Sequence, residues 1–108
     1  MITKGNYLGE FEELVLLTVA VMDGQAYGAA ITQHIKDKTG RGVNLSAVHI
    51  ALYRLEEKGF VRSMVGGATA ERGGRRKRLF TITAAGSHTL SEIRQVREEL
   101  WHLIPRPI

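Results

Sequence analysis

The apolar residues of this chain change their spacing twice, and no other feature of the sequence restricts the fold as much. Up to Gly59 they recur with the period of α-helices; from Phe60 to Thr83 they group as strands do; past Thr83 the helical period returns. The first segment, Glu10 to Met22, carries Phe11, Leu14, Val15, Leu17, Val19, Val21 and Met22, a wide apolar face that predicts a mostly buried helix. Glu10, Glu12 and Glu13 lie where the helix dipole favours acids, and Asp23-Gly24 supplies the stop. A second helix is expected from about Tyr27 to Lys38, with Ala30, Ile31 and Ile35 on one face, Lys36 and Lys38 in the last turn and Gly40 after it. Val43 is the expected site of a one-residue β-bridge. Asn44 reads as the N-cap of a third helix, from about Leu45 to Lys58, stopped by Gly59. Val48, Leu52 and Leu55 form its inward stripe, while Ser46, Ala47, His49, Ile50, Tyr53 and Arg54 face the other way.

Phe60 to Val65 and Leu79 to Thr83 read as two strands joined by a glycine-rich, basic loop, Gly66 to Lys77, longer than a tight hairpin needs. Thr83 is the expected N-cap of a fourth helix from Ala84 to about Leu103, closed by Pro105 and Pro107. Ile93, Val96, Leu100 and Leu103 make a short seam on that helix, which Leu90, Trp101 and Ile104 widen. Three helices, a hairpin and a long helix predict a mainly α fold with a small β-hairpin: a winged helix-turn-helix. Residues 1–83 would form the winged-helix unit and residues 84–108 a C-terminal dimerisation helix, within one compact body.

Composition narrows the function. A chain of 108 residues has the size of one domain, with little room for a catalytic one. It has no cysteine, which removes disulfides, thiolate nucleophiles and zinc–thiolate sites. His34, His49, His88 and His102 fall in no metal-ligand spacing, and Glu56-Glu57 and Glu98-Glu99 read as solvated helix faces. No metal, no cofactor and no enzyme activity are expected. The first residues do not read as a signal peptide and no apolar run approaches a bilayer span, so a cytoplasmic location without membrane attachment is expected. Six basic residues and one acid lie between Arg62 and Arg78, so this segment exceeds the chain's net charge of +4 and the remainder is slightly acidic. Such a concentrated positive field suits a polyanion groove; a solvated loop would carry the same charges.

Several stretches resemble the PadR family of bacterial transcriptional regulators. They are Leu8-Gly-Glu-Phe-Glu-Glu-Leu-Val-Leu-Leu17, Ala26-Tyr-Gly28, Gly40-Arg-Gly-Val43, Leu55-Glu-Glu-Lys-Gly-Phe-Val61, Arg72-Gly-Gly-Arg-Arg-Lys-Arg78 and Thr81-Ile-Thr-Ala-Ala-Gly86. In order, they cover roughly Leu8 to Trp101. The resemblance implies a winged helix closed by a dimerising C-terminal helix, in DNA-binding regulators that are mostly repressors, several of them responsive to small aromatic or cationic compounds. It makes the third helix the recognition helix and Gly66 to Lys77 the wing, and the single helix after the wing is similar to the family's short subgroup. His49, Ala51 and Ser46 depart from the residues usual there, which puts any borrowed operator sequence in doubt.

Double-stranded DNA is therefore the expected partner. The recognition helix would present Asn44, Ser46, Ala47, His49, Ile50, Tyr53 and Arg54, with the first residues nearest base edges and Tyr53 and Arg54 nearer phosphates. The wing would contribute Arg72, Arg75, Arg76, Lys77 and Arg78; Arg78 shares the parity of Phe80 and Ile82, so its head is expected to turn outward at the strand's start. A homodimer is expected through Tyr7, Leu8, Phe11, Ile93, Val96, Leu100, Trp101 and Leu103. An unidentified small effector would bind between the fourth helix and the body, against Trp101. A winged-helix module that takes an acidic protein on its basic loop is the alternative. RNA binding has only the lone Arg72-Gly-Gly74 in its favour, with no paired aromatics for base stacking.

Overall fold

The computed structural model describes residues 7–66 and 77–106. Along the chain run α1 (Glu10–Val21), α2 (Gly28–Thr39), α3 (Leu45–Glu57), β1 (Val61–Val65), β2 (Arg78–Ile82) and α4 (Ala84–Leu103). β1 and β2 pair antiparallel in the register Val61↔Ile82, Ser63↔Phe80 and Val65↔Arg78. The expected wing residues Arg72, Arg75 and Arg76 lie outside the described residues.

The helix ends follow from local chemistry. Asn44 caps α3 by accepting a hydrogen bond from the Ser46 N–H at 2.7 Å, and Thr83 caps α4 by accepting from the Gly86 N–H at 3.1 Å. Beyond α3, Phe60 N–H reaches the Leu55 carbonyl and Gly59 N–H the Glu56 carbonyl, with Gly59 at φ +80°. That pair of bonds is the Schellman arrangement, and its left-handed residue is tolerated at little cost only by glycine. Leu55 and Phe60, at its two ends, are both buried. The chain thus passes from α3 into β1 through Lys58, Gly59 and Phe60 with no slack.

One core joins every element. Leu8, Val15, Leu16, Val19, Ala26, Ile31, Ile35, Val48, Ala51, Leu52, Leu55, Phe60, Val61, Phe80 and Ile93 are buried together. The expected inward stripe of α3, Val48, Leu52 and Leu55, is fully enclosed, with Ala51 beside it. Ion pairs tie the helices at the rim: Lys58 to Glu12 at 2.9 Å, Arg97 to Glu13 at 2.9 Å, and Arg41 to Glu10.

Two expectations need correcting. Among the described residues the isolated β-bridge falls at Ala26, which pairs with Phe80, and not at Val43. Ala26 follows the turn at Gly24 and lies fully buried alongside β2, whereas Val43 packs on the core just ahead of the Asn44 cap. α1 is also less enclosed than its apolar face implies: Leu17 and Val21 are exposed, because Ile93 is the last residue of α4 to be buried. All residues from Arg94 to Leu103 are exposed, and the molecule measures 57 × 28 × 20 Å.

Candidate nucleic-acid interface

Burying Val48, Ala51, Leu52 and Leu55 turns the opposite ridge of α3 to solvent. Ser46 is exposed there, Ile50 and Tyr53 are about half exposed at 52% and 53%, and Arg54 stands on the flank toward α1. Arg54 and Ile50 line an open cleft of about 960 Å³ between α3 and the start of α1, with Ala47, Tyr7 and Phe11. Asn44 belongs to the same end of the helix, although its side-chain oxygen is committed to the cap. This surface combines a hydroxyl, small apolar side chains, an aromatic and a guanidinium, the repertoire that reads thymine methyls and neutral base edges and holds phosphates.

His49 has a more constrained position than the sequence indicated. Its ring lies over Gly28, so close that a Cβ added at Gly28 would stand 2.6 Å from the imidazole Cε1. It also stacks with Tyr53, with centroids 6.3 Å apart and planes inclined by 27°. His49 therefore fills the angle between the first turn of α2 and the middle of α3, with part of its ring exposed. The glycine in Ala26-Tyr-Gly28 provides the space for it.

The two wing residues that the structure describes, Lys77 and Arg78, are engaged at the root of the hairpin. Lys77 Nζ sits 3.8 Å from the centroid of the Tyr27 ring, on its π face. Arg78 shares the face of Phe80 yet is exposed at the start of the strand, and its Nη1 donates to Ser63 Oγ at 3.0 Å. Ser63 Oγ in turn donates to Glu56 Oε2 at 2.6 Å. Phe80 N–H donates to the Ala26 carbonyl at 2.8 Å, so the hairpin root is tied to the segment before α2 as well. Tyr27, Ser63 and Glu56 were not singled out as site residues from sequence. Glu56 and Ser63 belong to different elements, and only the turn at Gly59 makes them neighbours.

The residues expected at a dimer interface separate into two groups. Leu8 and Ile93 are buried in the protomer's own core and Phe11 packs against it. Tyr7, Val96, Leu100, Trp101 and Leu103 are exposed, at 70%, 42%, 60%, 62% and 75%. A groove of about 180 Å³ brings Tyr7, Val96 and Leu100 together beside Leu8 and Ile93. On the other side of α4 a groove of about 470 Å³ is lined by Leu17, Leu90, Ser91, Arg94 and Trp101. Among the described residues there is no cluster of three or more potential metal ligands, and no helix long and apolar enough to cross a membrane.

Residues 16–92 match the Transcriptional regulator PadR-like family. The fold is similar to that of a PadR family transcription regulator from Clostridium difficile, with 20% identity, a TM-score of 0.70, and 85% of this chain and 91% of that one covered. A transcriptional regulator from Clostridium thermocellum is similar at 23% identity and a TM-score of 0.69, covering 86% of this chain and 87% of that one. A PadR-like transcriptional regulator from Bacillus cereus has 16% identity and a TM-score of 0.68, over 90% of this chain and 93% of that one. No curated protein sequence matches the chain.

Proposed function

The chain belongs to the PadR-like family of transcriptional regulators, and from that membership we infer that it is a cytoplasmic, dimeric, sequence-preferring DNA-binding repressor. The observation that carries this reading is the division of α3, whose inner stripe is sealed in the core while Ser46, Ile50, Tyr53 and Arg54 remain open along the outer ridge. A helix so displayed fits the major groove, its N-terminal residues nearest the bases. Ser46, Ala47, His49 and Ile50 read base edges, and Tyr53 and Arg54 hold phosphates. The basic hairpin, which includes Arg72, Arg75 and Arg76, lies along the flanking backbone or minor groove.

One recognition helix spans only a few base pairs, so specificity calls for two. The exposed apolar residues of α4, Val96, Leu100, Trp101 and Leu103, together with Tyr7, support pairing with a second copy. The Trp101 groove suits a small effector with an apolar body, whose binding would release the operator. Selection of bound fragments from a random duplex pool tests the reading. The expected product is a two-fold symmetric motif whose half-sites lie about one helical turn apart. Recovery of no enriched motif, with binding indifferent to salt, would remove the proposal.

A further inference from the structure

Two cations next to the hairpin tip already have partners, which divides the wing's basic residues between two tasks. We propose that Arg78, Ser63 and Glu56 form a relay that sets the angle of the wing against α3, making Arg78 a positioning residue and not a phosphate contact. This inference rests on the DNA-binding reading above.

The register places Arg78 opposite Val65 and Ser63 opposite Phe80, so Arg78 and Ser63 are diagonal neighbours on one face of the ribbon. Diagonal positions are within reach of a long side chain, and the guanidinium spans the gap to donate to Ser63 Oγ. A hydroxyl has one proton to give and lone pairs to accept with. Ser63 gives its proton to Glu56 Oε2 at 2.6 Å and accepts from Arg78 Nη1 at 3.0 Å, so both capacities are used. Each bond has an ionised partner, which shortens and strengthens it. Ser63 and Glu56 are both half-buried, which limits competition from water.

Glu56 lies in the last turn of α3, and its main-chain carbonyl also accepts the Gly59 N–H. The relay therefore triangulates the joint between recognition helix and wing, with one leg through the main chain and one through the side chains. Lys77 over Tyr27 and the Phe80–Ala26 bond hold the other side of the root against the start of α2. A guanidinium turned toward a carboxylate through a hydroxyl is partly neutralised and displaces few counterions from a duplex.

Duplex affinity measured against salt separates this assignment from simple charge contact. Glu56→Ala deletes a negative charge close to the DNA-facing surface, so electrostatics alone would tighten binding; loss of the relay weakens it, by about tenfold for one charge-assisted bond. Arg78→Ala and Ser63→Ala are expected to weaken binding to a similar extent. Their salt slopes should match wild type, and the double variant should bind no worse than either single one. Melting curves confirm that each variant is folded. Tighter binding by Glu56→Ala, additive losses, or a slope reduced by about 0.9 for each lost contact in Arg78→Ala would overturn the relay while leaving the regulator reading intact. Failure of the wild-type protein to bind any duplex would instead overturn that reading, and the relay with it.

Discussion

A methyl group added at Gly86 would stand 2.3 Å from the Phe60 carbonyl oxygen and 2.9 Å from Ile82 Cγ1. The first turn of α4 thus lies directly on the main chain where α3 passes into β1, and a carbonyl held by Thr83 N–H at 3.0 Å has little freedom to withdraw. Gly86→Ala is expected to cost about 2 kcal/mol or more, lowering Tm by about 10 °C in a domain of this size. Gly28 is equally crowded, but its neighbour is the ring of His49, which can rotate aside. Gly28→Ala should therefore lower Tm by much less, while changing preference among duplex sites as His49 and its stacked partner Tyr53 shift. Thermal melts of the two variants side by side check the contrast; equal losses would mean that the His49 ring is as immobile as the backbone.

At the scale of elements, the four helices and the hairpin were legible because caps and stops write their own ends. Asn44, Gly59 and Thr83 act where the sequence placed them, and α4 runs over the expected residues. What was not legible depends on which surfaces meet. Leu17 and Val21 read as core, yet α4 leaves them uncovered once its buried contact ends at Ile93. The bridge at Ala26 required knowing that β2 passes there, and the Glu56–Ser63–Arg78 relay joins residues with no periodic relation. Leu8 and Phe11 were expected at an interface between copies, and they pack in or on the core of a single chain. α4 itself carries the clearest element-level prediction. Its outer half contributes nothing to the core, so Leu100→Glu with Leu103→Glu should leave the chain folded, with Tm lowered only by the stability that pairing supplies, while the proposed dimer becomes monomer in sedimentation. A variant that stays dimeric would move the interface elsewhere.

At the scale of the whole molecule, the charge is local and the expected complex is doubled by symmetry. If each protomer neutralises three phosphates or so, a dimer reaches about six, and log affinity should fall with log salt at a slope of about −5. Between 50 and 200 mM salt that is a loss of about 10³, which fluorescence anisotropy on a labelled operator can follow directly. A shallow slope would mean that the basic hairpin faces something other than a phosphate backbone. The joint between α3 and β1 has a further consequence. With main chain on one side, a carboxylate–hydroxyl–guanidinium contact on the other and α4 seated on the Phe60 carbonyl, the joint between α3 and the root of β1 and β2 is held on three sides. In the proposed dimer, a signal arriving at the long helix would then act as calipers do, by opening or closing the gap between two copies until they fall out of step with the turn of the double helix.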